Sequence, residues 1–209
     1  MKVLMVNGSP NKEGCTFTAL SEVAGSLHQN GIETEMFHIG NKAFFGCMAC
    51  EKCVDIGKCV IDGDIVNELA EKFRAADGVV VGSPVYYAGP NGALCVVLDR
   101  VFYQSRGRLK HKPAACVVSL RRGGASAAFD RLNKYFSVAQ MHIITSQYWN
   151  SVHGMNPDEV RRDLEGLQVL RTLGRNMAWV LKLIEKGAPP PELEAVRQLT
   201  AFADGKQPN

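Results

Sequence analysis

Short apolar runs that end in glycine alternate with segments of helical spacing along this chain, and this alternation constrains the fold most strongly. The run at residues 79–81 is apolar throughout and ends at Gly82-Ser83-Pro84. A short strand without polar alternation is buried on both faces, as the strands of parallel sheets are. The alternation therefore predicts an α/β protein built on a parallel sheet.

Five strands are predicted, each followed by a helix. The strands are predicted at residues 2–6, 32–39, 79–81, 114–120 and 142–148. The helices are predicted at residues 16–29, 64–76, 91–103 and 127–138, with a long last helix that begins after Asn156-Pro157. Right-handed crossovers between such units give a doubly wound, five-stranded parallel sheet in a three-layer sandwich.

Composition and length predict one domain with a tail. The chain has 209 residues, of which 46% are hydrophobic and 22% charged, and neither a repeat nor a charge block divides it. We expect a domain at residues 1–187 and a C-terminal tail at residues 188–209. Leu193, Val196 and Leu199 have helical spacing in the tail, which either packs on a neighbouring subunit or frays.

Several classes of function are disfavoured. The net charge of +3 gives no electrostatic case for nucleic acid or a membrane surface. Apolar stretches are too short for a signal peptide or a membrane span, so a cytoplasmic protein is expected. The five histidines are scattered and no Gly-x-Ser-x-Gly elbow occurs, so a hydrolase is unsupported.

Three polar, glycine-bearing loops are predicted to meet at one edge of the sheet. They span residues 8–16, 83–89 and 119–125, each after a predicted strand. Doubly wound sheets bind ligands beyond the carboxyl ends of their strands, so these loops should form one pocket.

The first loop has the features of a phosphate site. Backbone amides at the start of a helix are unpaired and partly positive, and the hydroxyls of Ser9 and Thr16 would add donors. The loop has neither the Gly-Lys-Ser/Thr of ATP-binding Walker loops nor the GxGxxG of dinucleotide sites. An ordinary strand-to-helix turn with a capping hydroxyl is the alternative.

The other two loops suit a flat heteroaromatic ligand. Tyr86 and Tyr87 follow a proline and offer aromatic surface, and glycines at 89, 123 and 124 allow close backbone approach. Arg121 or Arg122 could lie at an anionic ligand edge. The alternative is a half-buried tyrosine turn and a solvated arginine turn.

Four cysteines lie within thirteen residues. Cys47, Cys50, Cys53 and Cys59 are separated by two, two and five residues. Such compact spacing resembles the ligation of ferredoxins, where one short loop wraps an iron-sulfur cluster. Structural zinc usually has a longer gap between two cysteine pairs. A 4Fe-4S cluster, plain buried thiols, zinc and a redox disulfide all remain as interpretations.

Several segments together resemble one family. The segments GSPNKEGCT, GCMACEKC with GKCVIDGD, and GSPVYYAGPNGAL with LDR resemble, in order, those of the flavodoxin-like NADPH-dependent FMN reductases, specifically their iron-sulfur flavoprotein branch. The resemblance covers residues 1–150. It implies a flavodoxin-like fold, bound FMN, and a homodimer or homotetramer with the flavin near the subunit interface.

The resemblance also implies site residues. The flavin-binding set is Ser9, Asn11, Gly14, Cys15, Thr16, Pro84, Val85, Tyr86, Tyr87, Ser119, Arg121, Gly123 and Gly124. Tyr86 and Tyr87 would shape the catalytic face on which nicotinamide or the acceptor stacks. Cys15 departs from the family, which often has a small amide or hydroxyl residue there.

The predicted function is an FMN-dependent NAD(P)H oxidoreductase that passes hydride through the flavin to a small-molecule acceptor. One alternative is an iron-sulfur flavoprotein that carries electrons with a ferredoxin partner. Another is a thiol redox sensor. Flavin chemistry needs no nucleophilic side chain, because the cofactor accepts the hydride and the protein supplies orientation and electrostatics.

Overall fold

The computed structural model describes residues 1–187 and 189–191. The tail contacts predicted for Leu193, Val196 and Leu199 lie outside the described residues. The domain at residues 1–187 is described over its full length.

A parallel sheet lies at the centre of the fold, and the flavodoxin-like class is confirmed. The strands are β1 Lys2–Asn7, β2 Glu33–His38, β3 Gly78–Tyr86, β4 Gly89–Pro90, β5 Pro113–Leu120, β6 His142–Ile143 and β7 Ser151–His153. The order across the sheet is β2-β1-β3-β5-β6, with β7 continuing the β6 edge beside β5. This is the 2-1-3-4-5 order of doubly wound sheets of the flavodoxin type.

Helices cover both faces of the sheet. They are α1 Cys15–Gln29, α2 Lys52–Ile56, α3 Val66–Ala75, α4 Gly92–Gln104, α5 Ala125–Val138, α6 Pro157–Arg162 and α7 Leu164–Lys186. One core cluster joins α3, α4 and α5 to the sheet, and the other joins α1 and α7 to the opposite face. The three layers follow because the central strands β1, β3 and β5 bury side chains on both faces. Among the described helices, none is long and apolar enough to cross a membrane.

The fifth position of the sheet is divided between two short strands, β6 and β7, whereas a single strand was predicted at residues 142–148. Residues between β6 and β7 leave the ladder because polar side chains replace its backbone bonds. The Asn150 amide donates to the Cys116 carbonyl at 3.0 Å, and the Ser146 hydroxyl donates to the Tyr148 carbonyl at 2.6 Å. Such local side-chain bonds compete with strand pairing. The sheet thus has five parallel positions, the last of which is shared by β6 and β7. The seventh strand, β4, pairs with β3 in a short antiparallel ribbon.

The single long last helix that the sequence predicts is two helices. Asp163 ends α6 and caps α7, because its carboxylate accepts from the Gly166 amide at 3.0 Å. Its other oxygen accepts from the His153 amide at 2.7 Å, which ties the break to β7. An aspartate at an N-cap is the usual signal for a new helix start.

Candidate functional site

The three predicted loops do converge, and Asn91 joins two of them. Its amide nitrogen donates to the Gly8 carbonyl at 2.7 Å, and its backbone amide donates to the Ser83 hydroxyl at 2.9 Å. Asn91 also caps α4, since its side-chain oxygen accepts from the Ala93 amide at 3.1 Å. This role was not predicted from the sequence, although asparagine just before a helix is a recognisable capping signal.

The first loop is held by its own side chains. The Asn7 side chain accepts from the Ser9 amide at 3.1 Å and donates to the Lys12 carbonyl at 3.0 Å. The Ser9 hydroxyl accepts from the Asn11 amide at 3.1 Å, and the His38 ring nitrogen lies 2.8 Å from the Ser9 carbonyl. The loop therefore has a defined shape before any ligand enters, which lowers the entropic cost of binding.

The start of α1 is open to an anion. Gly14 is the N-cap residue, and no side chain among the described residues caps the helix. The amides of the first turn therefore lack the usual side-chain acceptor. An uncapped helix start that follows a preformed loop is suited to a phosphate group.

Cys15 points away from this loop. Its thiol donates to the Gly154 carbonyl at a sulfur–oxygen distance of 3.7 Å, on the segment after β7. Burial raises the pKa of the Cys15 thiol, so it stays protonated at neutral pH. The side chain is therefore engaged elsewhere, and only its backbone amide is available at the helix start.

Thr16 and Ser119 connect the first and third loops. Both residues are buried, and their hydroxyl oxygens lie 2.8 Å apart. Each hydroxyl has one donor and two acceptor positions, so one O–H of the pair remains free for a further acceptor. The two predicted residues thus form one buried, hydrogen-bonded hydroxyl pair that joins the first and third loops.

The second and third loops touch at Gly124. This glycine has φ of +92°, and a Cβ built on it would lie 2.6 Å from the Ala88 Cα and 3.2 Å from a Val85 methyl carbon. Pro84 lies directly opposite Ser119 in the ladder of β3 and β5, so both loops leave the sheet side by side. Only glycine allows this approach at that backbone conformation.

The two tyrosines are displayed at the tip of the second loop. Tyr86 is 46% exposed, and Tyr87 is fully exposed. Tyr87 and Ala88 both have positive φ, 49° and 60°, a conformation that is uncommon outside glycine. A turn that holds an aromatic ring in solvent at the cost of backbone strain is typical of ligand-contacting segments.

The remaining residues predicted in the third loop lie at its surface. Arg121, Arg122 and Gly123 are exposed, at the carboxyl end of β5. The loop geometry brings them to the edge of the site.

The four predicted cysteines line a single pocket. Cys47, Cys50, Cys53 and Cys59 surround it together with side chains of α4, and the short helix α2, which was not predicted, carries Cys53. Burial raises the pKa of the Cys53 thiol, and the neighbouring sulfurs of Cys59, Cys47 and Cys50 raise it further. The Cys53 thiol therefore lies close enough to the other three cysteines to be influenced by them around the shared pocket.

The side of the pocket formed by α4 is built around Arg100. Its guanidinium is buried and forms an ion pair with Asp64. It also donates to the Ile61 carbonyl at 2.7 Å, to the Phe45 carbonyl at 3.3 Å, and from Nε to the Cys59 sulfur at 3.4 Å. Arg100 therefore fixes both ends of the cysteine segment on α4.

Gln104 carries a buried donor that has no partner. The Cys59 amide donates to Gln104 Oε1 at 3.2 Å, whereas Nε2 has no hydrogen-bond partner anywhere in the described part of the chain. Gln104 is 4% exposed and lines the cysteine pocket. Buried polar atoms are nearly always satisfied, so this donor needs an acceptor from an ordered water or from a group bound in the pocket.

The cysteine pocket and the three-loop site lie at opposite ends of α4. Arg100 lies nine positions after Asn91, which corresponds to about 13 Å along a helix. Within residues 1–187 and 189–191, no group of three or more His, Cys, Asp or Glu is arranged to hold a metal ion. The four cysteines thus share a pocket without forming a site for a single ion.

The comparisons with known proteins agree with this geometry. Residues 1–156 match the family described as NADPH-dependent FMN reductase. An iron-sulfur flavoprotein of Methanocaldococcus jannaschii is 33% identical over 196 residues, which cover 89% of this chain and 100% of the relative. An iron-sulfur flavoprotein of Methanosarcina thermophila is 32% identical over 193 residues, which cover 89% of this chain and 98% of the relative.

A solved structure shares the fold. RosB with the bound intermediate 8-demethyl-8-formylriboflavin-5′-phosphate superposes with a TM-score of 0.70 at 14% identity, covering 100% of this chain and 98% of that one. At this identity the likeness concerns the fold alone. The family match and the two relatives show that this chain belongs to the NADPH-dependent FMN reductase family, within its iron-sulfur flavoprotein branch.

Proposed function

We propose that this protein is an FMN-dependent oxidoreductase that takes hydride from NAD(P)H and passes the electrons to a small-molecule acceptor. Family membership and the flavoprotein relatives support the FMN-dependent oxidoreductase. The observation that carries the proposal is the junction of the three loops. It places an uncapped helix start, a buried hydroxyl pair and an exposed aromatic turn around one site.

The residues of this junction suit the two ends of FMN. The phosphate would be held by the first-turn amides of α1, with the free O–H of the Thr16 and Ser119 pair as a further donor. The ring system would lie against the turn of Tyr86 and Tyr87, and Gly124 packs closely against this turn. Bound FMN supplies the centre that accepts hydride, so the protein's own task is to bind and orient.

Tyr87 would form part of the surface on which nicotinamide stacks. Its ring is fully exposed, so it costs little desolvation to cover it with a second aromatic group. The positive φ of Tyr87 and Ala88 fixes the direction in which the Tyr87 side chain leaves the backbone, toward solvent. Stacking on the exposed ring would help to orient the nicotinamide for hydride transfer.

We further propose that the four cysteines hold a 4Fe-4S cluster. A cuboidal cluster takes one thiolate per iron, so its ligands surround it rather than converge on a single ion. The shared pocket, the orphan donor of Gln104 and the cationic Arg100 all suit an electron-rich sulfur cluster. This pocket favours the second candidate function, an electron carrier that works with a ferredoxin partner.

One anaerobic preparation tests these proposals. Mass spectrometry of the released cofactor should give FMN, and iron and sulfide assays should give stoichiometric cluster. Recovery of FAD, or of no flavin after incubation with FMN, would overturn the flavin assignment. Iron-free protein after reconstitution with iron and sulfide would overturn the cluster alone.

Steady-state kinetics separates the two functions. An oxidoreductase should consume NADPH or NADH with a quinone or free flavin as acceptor and without a protein partner. Slow consumption together with rapid reduction by ferredoxin would favour the carrier. NADPH and NADH are assayed in parallel, because the ratio of the two consumption rates also decides which nicotinamide cofactor the enzyme prefers.

A further inference from the structure

We propose that Gln104 and Arg100 donate hydrogen bonds to sulfur in the cysteine pocket and thereby raise the reduction potential of the cluster held there. This inference rests on the cluster proposed above. It assigns to α4 a tuning role that is separate from the four ligands.

Both donors lie on one face of α4. Arg100 and Gln104 are four residues apart, so their side chains leave the helix on the same side, one turn from each other. Both are buried, with exposed fractions of 1% and 4%. The pocket of the four cysteines is therefore lined on this side by N–H groups that water does not reach.

The orientation of the Gln104 amide is fixed by its neighbour. The Cys59 amide is a donor and can only approach an oxygen, so the atom it contacts at 3.2 Å is Oε1. The other end of the side chain is then the NH2 group, which lacks a partner among the described residues. An unsatisfied buried donor destabilises the folded protein. A sulfur acceptor in the pocket would remove this destabilisation.

Arg100 is held in place independently of the cluster. Asp64 and two backbone carbonyls bind the terminal nitrogens, which leaves Nε directed at the Cys59 sulfur. The guanidinium keeps its charge at any pH at which the protein is folded. Its hydrogen bond to a ligand sulfur is therefore charge-assisted and constant.

The direction of the effect follows from the charge. A one-electron reduction adds one negative charge to the cluster and its ligand sulfurs. N–H donors to these sulfurs stabilise the reduced state more than the oxidised state, and hydrogen bonds to sulfur are a main determinant of cluster potentials. Removal of a donor should therefore lower the potential.

The test is a redox titration of reconstituted Gln104→Leu and Gln104→Glu, followed by electron paramagnetic resonance. Leucine removes the donor, and the Cys59 amide keeps its second acceptor, Asn67 Oδ1 at 3.0 Å. Glutamate keeps an oxygen toward the Cys59 amide but replaces the NH2 group with a second oxygen, and its negative charge when ionised lowers the potential further, so the leucine variant isolates the loss of the donor. Both variants should keep full iron and flavin content and show a lower cluster potential.

Tyr103→Phe is the matched control. Tyr103 also lines the pocket from α4, but its hydroxyl donates to the Glu51 carboxylate at 3.0 Å. The control should leave the cluster potential unchanged, and the flavin potential should be unchanged in all three variants.

Three outcomes would overturn the inference. An unchanged cluster potential in both Gln104 variants at full iron content would show that the amide does not donate to sulfur. Loss of iron from both would show that Gln104 only holds the loop. Wild-type protein without stoichiometric iron would overturn the inference together with the cluster, whereas the other two results leave the proposed oxidoreductase intact.

Discussion

The hydroxyl groups of Thr16 and Ser119 lie 2.8 Å apart in the protein interior and join the first loop of the site to the third. Thr16 is in the first turn of α1, and Ser119 is near the end of β5. The pair has one O–H to spare, and the uncapped helix start lies beside it. The phosphate proposal thus depends on two residues that are more than a hundred positions apart in the sequence.

Thr16→Val is expected to weaken FMN binding by about 1–3 kcal/mol, the range for a lost hydrogen bond to a charged group. Ser119→Ala should cost a similar amount. The double variant should lose less binding free energy than the sum of the two single losses, because either substitution already breaks the hydrogen bond between the two hydroxyls. Titration of the apoprotein with FMN by calorimetry measures all three.

Ser21→Ala is the control for this pair. Ser21 lies on α1, and its hydroxyl donates only to the Phe17 carbonyl at 2.8 Å. Its dissociation constant for FMN should equal that of the wild type. Full additivity of the Thr16 and Ser119 effects would contradict the hydrogen-bonded pair, and an unchanged affinity in Thr16→Val would move the phosphate site elsewhere.

Gly124→Ala should disrupt the site through its backbone. The new Cβ would lie 2.6 Å from the Ala88 Cα, and φ of +92° is unfavourable for alanine. We expect a loss of about 1–3 kcal/mol of stability together with weakened FMN binding, because the turn of Tyr86 and Tyr87 must shift. Gly123→Ala is the matched control, since a Cβ there meets nothing within 4 Å. Equal melting temperatures for the two variants would contradict this account.

The fold was largely predictable because its signals are local. Alternation of buried strands and amphipathic helices gave the sheet, and the helix predicted at residues 91–103 differs from α4 by one residue at each end. The divided edge strand could not be predicted, because the segment begins with the β-branched residues Ile143, Ile144 and Thr145, which are typical of a strand. The break depends on the local bond from Ser146 to the Tyr148 carbonyl and on the tertiary bond from Asn150 to the Cys116 carbonyl.

The site was predictable as a set of loops but not as a network. Carboxyl ends of parallel strands meet, so the convergence of the loops follows from topology. Asn91, Arg100 and Gln104 were not assigned, because their roles depend on contacts with residues far away in the sequence. Capping could have suggested Asn91, but no local signal distinguishes Gln104 from any other helical glutamine.

Tyr87→Ala is expected to lower kcat/KM for NAD(P)H about 2-fold to 12-fold, which corresponds to the roughly 0.5–1.5 kcal/mol of an aromatic pair. Tyr87→Phe keeps the ring and should retain wild-type kinetics, because the proposed role needs only the aromatic face. Steady-state rates at saturating acceptor measure both. A large defect in Tyr87→Phe would point instead to a role for the hydroxyl.

Acid should remove the contribution of Glu35 to stability. Hydrogen bonds from Lys2 and Lys72, at 2.8 and 2.5 Å, lower the pKa of the Glu35 carboxyl in the folded protein. A lowered folded pKa means that the stabilisation is complete above the ordinary glutamate pKa of about 4.3 and is lost as pH falls through the folded value. Glu35→Gln should cost less than about 1 kcal/mol at pH 7, because the pairs are partly exposed. Urea unfolding at pH 7 and pH 3 should show a larger difference between wild type and Glu35→Gln at pH 7.

The ion pair of Arg100 and Asp64 should show strong coupling in a double-mutant cycle. Arg100→Met leaves the Asp64 carboxylate mostly buried without its cation, and breaking a buried pair in this way costs about 3–5 kcal/mol. Asp64→Asn leaves a buried guanidinium, which keeps its bonds to the Phe45 and Ile61 carbonyls and should therefore cost less. The double variant should be more stable than Arg100→Met alone, because no uncompensated charge remains. Urea unfolding of the four proteins measures the cycle, and a double variant as unstable as the sum of the single changes would show that the pair acts through packing rather than charge.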